Sequence, residues 1–383
     1  MSEDTFIIPT FKPLDQCAIE NNHREFVESP NFVKQQRIER RVAFNHYVNC
    51  SKKVEVEVET QALFGNMSIG EGRGSTIEQK LINGYDGYGG VHDNLVWNVT
   101  GGYTYFTLNN KLILENTKTR EQTVFADSTV QLSCIAASTD GQYLAVGEGS
   151  ENAQGNSLVY LYDIEKKKLL SKLTFHQKGI QTMTFSNDSR YLVTIGVQGE
   201  NSLAVWDINS GLVIQKAVMG NYATNKVVTD RHVNGSQFSF ITVGNNAALS
   251  IWRLDTEQQQ MTFWDVSAPE NLENVNFLTA DVTDFLPAPV STYYVVVGAD
   301  DGSLLMYDSS QDVRSYVDIG KRGQIVQGQV SALSVRNNSV VIAGSMGTIA
   351  HYPIIGTQVQ PDDPDVVEIQ NVESGVVAIS MDE

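Results

Sequence analysis

The sequence predicts an all-β fold, a seven-bladed β-propeller whose last blade is incomplete, preceded by an N-terminal extension that is not part of the ring. Two recurring phrases predict it. The first is a short apolar strand that closes on a large residue and runs into a polar turn: "NKLILENTKTRE", "NSLVYLYDIEKKK", "NSLAVWDINSG", "AALSIWRLDTEQ", "GSLLMYDSSQD" and "GTIAHYPIIG". Aligned on Leu114, Tyr162, Trp206, Trp252, Tyr307 and Tyr352, the copies are spaced by 48, 44, 46, 55 and 45 residues. The second is an alternating strand, a turn of Asp, Asn, Gly or Pro, then an apolar strand, as in "LSCIAASTDGQYLAVGEG" and "IQTMTFSNDSRYLVTIGV". Two phrases in fixed order at a period near 45 describe small antiparallel sheets that gain a core only by stacking on their neighbours.

In chain order, residues 1–82 form the extension. Ser29 and Pro30 open a candidate helix within Glu28–Asn49, and "KVEVEVET" (Lys53–Thr60) alternates as a strand with one face in contact and one in water. Gly70–Gly90 holds seven glycines and reads as loop or hinge. The propeller then occupies 83–383, with blades at 83–128, 129–174, 175–219, 220–265, 266–320 and 321–360. The remainder, 361–383, reads as half of a seventh blade, entered through the acidic "QPDDPD" and ending in "SGVVAISMDE". An unpaired half-blade exposes strand edges. Either the natural chain continues, or "KVEVEVET" completes the ring; the other reading of that strand is a separate hairpin or an edge strand on the first blade.

The 383 residues carry a net charge of −18. This argues against a nucleic-acid surface over the body of the protein, because phosphate neutralisation needs clustered Lys and Arg. The exception is Asn31–Lys53, where Lys34, Arg37, Arg40, Arg41, Lys52 and Lys53 face only Glu39, a net of +5 against −23 for the rest. That segment reads either as a solvated helix face pairing with the acidic propeller or as a tether to an acidic partner. No signal-type or membrane-length apolar run is found, and Cys17, Cys50 and Cys134 are scattered, which suits a soluble protein of the reducing cytoplasm.

Chemistry-bearing motifs are sparse. "GEGRGST" (Gly70–Thr76) lacks the Lys of a phosphate-cradling loop and fits no dinucleotide fingerprint. The six histidines are dispersed without metal-ligand spacing, and no nucleophile–base pair stands out. No catalytic residue, cofactor or metal is therefore expected. Trp206-Asp207 reads as architecture rather than a ligand site. His176 at the opening of the repeat, Asp188 in its turn and Thr194 in the next strand stand where they would join the Trp206 indole in a buried hydrogen-bond network.

These phrases resemble WD-repeat β-propellers, over about four-fifths of the chain. Trp206-Asp207 is the one intact Trp-Asp in register, with Tyr162-Asp163 and Tyr307-Asp308 as near copies. "INGYDGYGGVHDNLVWNVTGGYTYFTLNNKLILENTKTREQ" (Ile82–Gln122) and "YLVTIGVQGENSLAVWDINSG" (Tyr191–Gly211) resemble blades of microtubule-associated members: the cilia- and flagella-associated and centriolar proteins and the echinoderm microtubule-associated-protein-like group. The resemblance implies a non-enzymatic scaffold of an axoneme, basal body or centriole, with tubulin or axonemal and centriolar proteins as partners. It also implies that this propeller is the first of a tandem pair. No nucleic acid or membrane partner is expected. The alternative is a general cytosolic adaptor that recruits peptides or substrates in a signalling or ubiquitin-ligase-type complex.

Overall fold

Runs of β-branched and aliphatic residues broken by Asp, Asn and Gly turns give the strands of the described residues, and the computed structural model arranges them in five sheets of four and one of five. It describes residues 94–98, 102–220, 222–231, 236–268, 272, 274–284, 292–309, 316–320, 328–336, 339–355, 358–359 and 365–368. The chain divides into two units, Met1–Gly84 and Tyr85–Glu383, and every described residue lies in the second. The candidate helix, "KVEVEVET", Gly70–Gly90, the six basic residues of Asn31–Lys53 and the closing "SGVVAISMDE" lie outside the described residues.

Blade one holds β1 (Leu95–Asn98), β2 (Tyr103–Leu108), β3 (Lys111–Asn116) and β4 (Gln122–Asp127). Blade two holds β5 (Leu132–Ala137), β6 (Tyr143–Glu148), β7 (Leu158–Asp163) and β8 (Lys168–Thr174). Blade three holds β9 (Ile180–Phe185), β10 (Tyr191–Gly196), β11 (Ser202–Asp207) and β12 (Leu212–Val218). Blade four holds β13 (Thr224–Thr229), β14 (Gln237–Gly244), β15 (Ala248–Asp255) and β16 (Gln260–Asp265). Blade five holds β17 (Phe277–Val282), β18 (Tyr294–Ala299), β19 (Leu304–Asp308) and β20 (Tyr316–Gly320). Blade six holds β21 (Val330–Arg336), β22 (Ser339–Gly344), β23 (Thr348–Ile355), β24 (Gln358–Val359) and β25 (Asp365–Glu368). Consecutive strands pair antiparallel, and the first strand of each blade lies against the first strand of the next.

Among the described residues the structure shows six blades, not the seven expected. Asp365–Glu368 pairs antiparallel with Thr348–His351, while Ile354–Ile355 pairs with Gln358–Val359. The strand that follows the Pro-rich stretch in the sequence therefore belongs to the sixth blade.

The core lies between blades. Side chains alternate along a strand, so the second strand of each blade is buried on both faces. Leu192 and Trp206 pack toward Leu161 and Cys134 of blade two. Tyr191, Val193 and Ile195 pack the other way, toward Phe240 and Trp252 of blade four. Equivalent layers join blades one and two, four and five, and five and six. Each fully buried Leu, Val or Phe contributes about 1.5–3 kcal/mol. That is why near-continuous apolar runs such as "YLVTIG" are required here.

A bulge recurs where the first two strands of blades two to six begin to pair. The extra residue is Ser133, Gln181, Asn225, Leu278 or Ser331. A bulge re-aims its side chain. Two of these reach the first strand of the next blade: Ser133 Oγ donates to Ile180 O at 2.6 Å, and Asn225 Nδ2 to Phe277 O at 2.7 Å.

Candidate functional site

Among the sequence-predicted residues that are described, three come together in blade three. Trp206 Nε1–H donates to Thr194 Oγ1 at 2.9 Å, and His176 Nε2 meets the same oxygen at 2.8 Å. All three side chains are buried. His176 Nδ1 faces Glu200 Oε1 at 3.0 Å and Ser202 Oγ at 2.8 Å. The donor count closes when Thr194 O–H donates to Nε2 and Nδ1–H donates to the carboxylate.

Asp188, expected in this network, stands apart from it. Its Oδ1 accepts from Ser186 Oγ at 2.5 Å and Arg190 N at 3.2 Å, and the side chain is exposed. The reason is topological. Asp188 lies in the turn between β9 and β10, at the opposite end of β10 from His176. Glu200 lies in the turn between β10 and β11, at the same end as His176, and supplies the carboxylate instead. It also accepts from Gln177 N at 2.9 Å, Lys178 N at 2.7 Å and Ser202 Oγ at 2.5 Å. Burial raises the Glu200 carboxyl, but hydrogen bonds from His176, Lys178, Ser202 and Gln177 outweigh it and hold the group down to about 2.

The device recurs, and a linear reading does not single it out. Glu148, fully buried at the end of β6, accepts from Ser128 Oγ (3.0 Å), Asn152 Nδ2 (3.1 Å), Leu158 N (2.9 Å) and Tyr160 O–H (2.7 Å). Asp300, after β18, accepts from Asn276 N at 3.0 Å and Asn276 Nδ2 at 2.7 Å. In each case an acid after the second strand ties down the loop that enters the blade. In the sequence these acids stand in "GEGS", "VQGEN" and "GADDG", one, four and two residues after the glycine near the end of the second strand, so no fixed spacing marks them.

At the opposite end of the strands, neighbouring blades are cross-linked. Asp140 N donates to Ser189 Oγ, Thr229 Oγ1 to Phe185 O, and Asn187 Nδ2 to Arg231 O. The Arg231 guanidinium reaches Asp281 at 3.0 Å and Asp284 at 3.2 Å, and Asp281 Oδ2 accepts from Val335 N at 2.8 Å. These bonds join the inner strands of blades four, five and six. Such an arrangement holds loops in place. Among the described residues no set of three His, Cys, Asp or Glu side chains is arranged to hold a metal, and no helix is long and apolar enough to cross a membrane.

The stacked antiparallel blades and the Trp–Thr–His bonding of blade three define an all-β WD-repeat propeller. Residues 167–207 match the family described as WD domain, G-beta repeat. The chain is similar to cilia- and flagella-associated protein 52 of Chlamydomonas reinhardtii, 24% identical over 274 residues, covering 71% of this chain and 42% of that protein. It is also similar to WD repeat-containing protein 90 of Xenopus tropicalis (22% identical, 73% of this chain and 14% of that one). A third relative is centriole proteome protein 16 of Chlamydomonas reinhardtii (25% identical, 49% and 10%). The chain thus spans less than half the length of these relatives. Among solved structures, that of U3-55K aligns with a TM-score of 0.51 at 14% identity, covering 74% of this chain and 82% of that one, a likeness of fold alone.

Proposed function

We propose that this chain is a non-enzymatic scaffold of a microtubule assembly, whether ciliary axoneme, basal body or centriole, and that it docks other proteins on its propeller faces. The observation that carries this reading is the similarity to cilia- and flagella-associated protein 52 across 71% of the chain, accompanied by a centriole proteome protein. The fold suits the role: blades cross-linked at both strand ends make a rigid frame for loops. In this reading residues 83–383 are the docking domain and 1–82 an extension. An overall charge of −18 opposes contact between the propeller body and acidic tubulin. Direct lattice contact therefore falls to Lys34, Arg37, Arg40, Arg41, Lys52 and Lys53.

Co-sedimentation of the full chain with polymerised microtubules across a salt series tests this. Binding that weakens with salt, and is lost when Arg37, Arg40 and Arg41 become Gln, is the expected result. Binding unchanged by the triple substitution removes the segment from the mechanism, and no binding in either form removes direct tubulin contact.

A further inference from the structure

Between blades four and five, at the end of the sheets where Asp230 follows β13 and Tyr293 precedes β18, lies a cleft of about 220 Å³. Arg253, on β15, stands in its wall with an exposed side chain. Three other arginines are spent on carboxylates: Arg120 on Glu115 at 2.7 Å, Arg190 on Asp207 at 3.8 Å and Arg231 on Asp281 at 3.0 Å. Arg253 has no such ion pair among the described residues. Its guanidinium carbon instead lies 5.3 Å from the centre of the Trp264 ring, on the adjacent strand β16. Stacking engages the face of a guanidinium and leaves its N–H edges outward, in the fork that matches a carboxylate. The support beneath is firm, because Trp264 and Tyr293 both pack on the core layer between the two blades.

The other polar groups of the cleft have duties already. Ser309 Oγ accepts from Tyr293 N at 3.2 Å and pairs with Thr292 Oγ1 at 3.0 Å. The Tyr293 phenol is pushed up by burial and then by the nearby Asp230 carboxylate, and it is hydrogen-bonded to Ser239. Asp230, 7% exposed, lines the inner end. An anion is therefore received by the exposed Arg253 and opposed by the buried Asp230.

We propose that this cleft is a docking site for a Glu or Asp side chain of a partner protein segment, with the carboxylate on the Arg253 fork and the flanking apolar part against Trp264. Arg, Trp and Tyr together are the composition of an interface anchor. A nucleic acid does not fit, since it needs clustered cations and this is a single one beside an acid. The site does not depend on the microtubule reading.

The test is fluorescence anisotropy of the full chain with a labelled Gly-Leu-Glu-Leu-Gly peptide and its Gln and Lys counterparts. Wild type is expected to prefer the Glu peptide at least about fivefold over the Gln form, less so as salt rises. Arg253→Ala abolishes that preference, Arg253→Lys keeps only part of it, and Asp230→Asn strengthens it. Arg120→Ala, which removes an exposed arginine elsewhere, leaves it intact. A wild-type chain that does not distinguish Glu from Gln, or an Arg253→Ala chain that still does, overturns the proposal. Near-UV circular dichroism of each variant confirms that the fold is retained.

Discussion

Thr194 is the residue on which the blade-three network turns, because one hydroxyl meets both Trp206 and His176. Thr194→Val keeps the shape and orphans two buried polar groups, each worth about 1–3 kcal/mol. A loss of about 2 kcal/mol or more is expected in urea unfolding followed by Trp fluorescence. Asp188→Ala removes only bonds in an exposed turn and should cost less than about 1 kcal/mol; equal losses would put Asp188 back in the network. That His176, Thr194 and Trp206 belong to one repeat was legible from their order. The acid was misplaced because Asp188 and Glu200 both sit in polar turns, and only strand direction tells which turn shares an end with His176. Glu200 carries its own prediction. Its folded carboxyl is depressed from 4.5 to about 2, so its contribution is present above about 4.5 and is lost as pH falls toward 2. Glu200→Gln should lower stability at neutral pH and flatten the pH dependence across that window. A thermal-melt profile between pH 2 and 6 with the wild-type slope would count against it.

At the scale of elements, the turns after the third strands of blades one to four follow one rule. Asn116, Asp163, Asp207 and Asp255 end those strands, and each side-chain oxygen accepts the backbone N–H three residues on, at 3.0, 2.8, 3.0 and 2.9 Å. So the Asp of Trp206-Asp207 is a turn residue, as its neighbours in the other repeats are. Four residues after each comes a positive φ, at Arg120 (59°), Lys167 (49°), Gly211 (68°) and Gln259 (52°). Only blade three places glycine there. A side chain in this region costs roughly 1–3 kcal/mol, partly offset by the greater freedom glycine adds to the unfolded chain. Lys167→Gly and Gln259→Gly should each stabilise by about 0.5–1 kcal/mol, and Gly211→Ala should destabilise by a similar amount. Equal signs for all three in chemical denaturation would sink the argument. The blades were legible because their strands and turns are local and repeat. The outer strand of blade six was not, because β25 pairs across an acidic, Pro-rich interruption that reads as a linker. The Arg253 cleft was invisible for another reason: its walls come from two repeats, and no spacing along the chain brings Trp264 and Tyr293 together.

For the whole molecule, charge is the organising quantity. A net of −18 means that folding concentrates like charges, so stability should rise as salt increases from a few millimolar to about 0.15 M, where the screening length is about 8 Å. The basic segment at 31–53 makes this a test between two roles. If those cations lie against the acidic propeller, they relieve its self-repulsion, and replacing Arg37, Arg40 and Arg41 with Gln lowers the melting temperature most at low salt. If they serve as a tether, they stand in solvent, and exposed cations contribute little to stability. The tether reading predicts that the triple variant melts within about 2 °C of wild type at every salt concentration, a span that corresponds to less than about 1 kcal/mol. Its retention on microtubules should meanwhile fall and lose its dependence on salt. A variant that melts several degrees lower at low salt, and recovers as salt is added, assigns the segment to its own propeller. The −23 carried by the rest of the chain would then be partly neutralised from within, and partner contact would pass to the propeller faces alone.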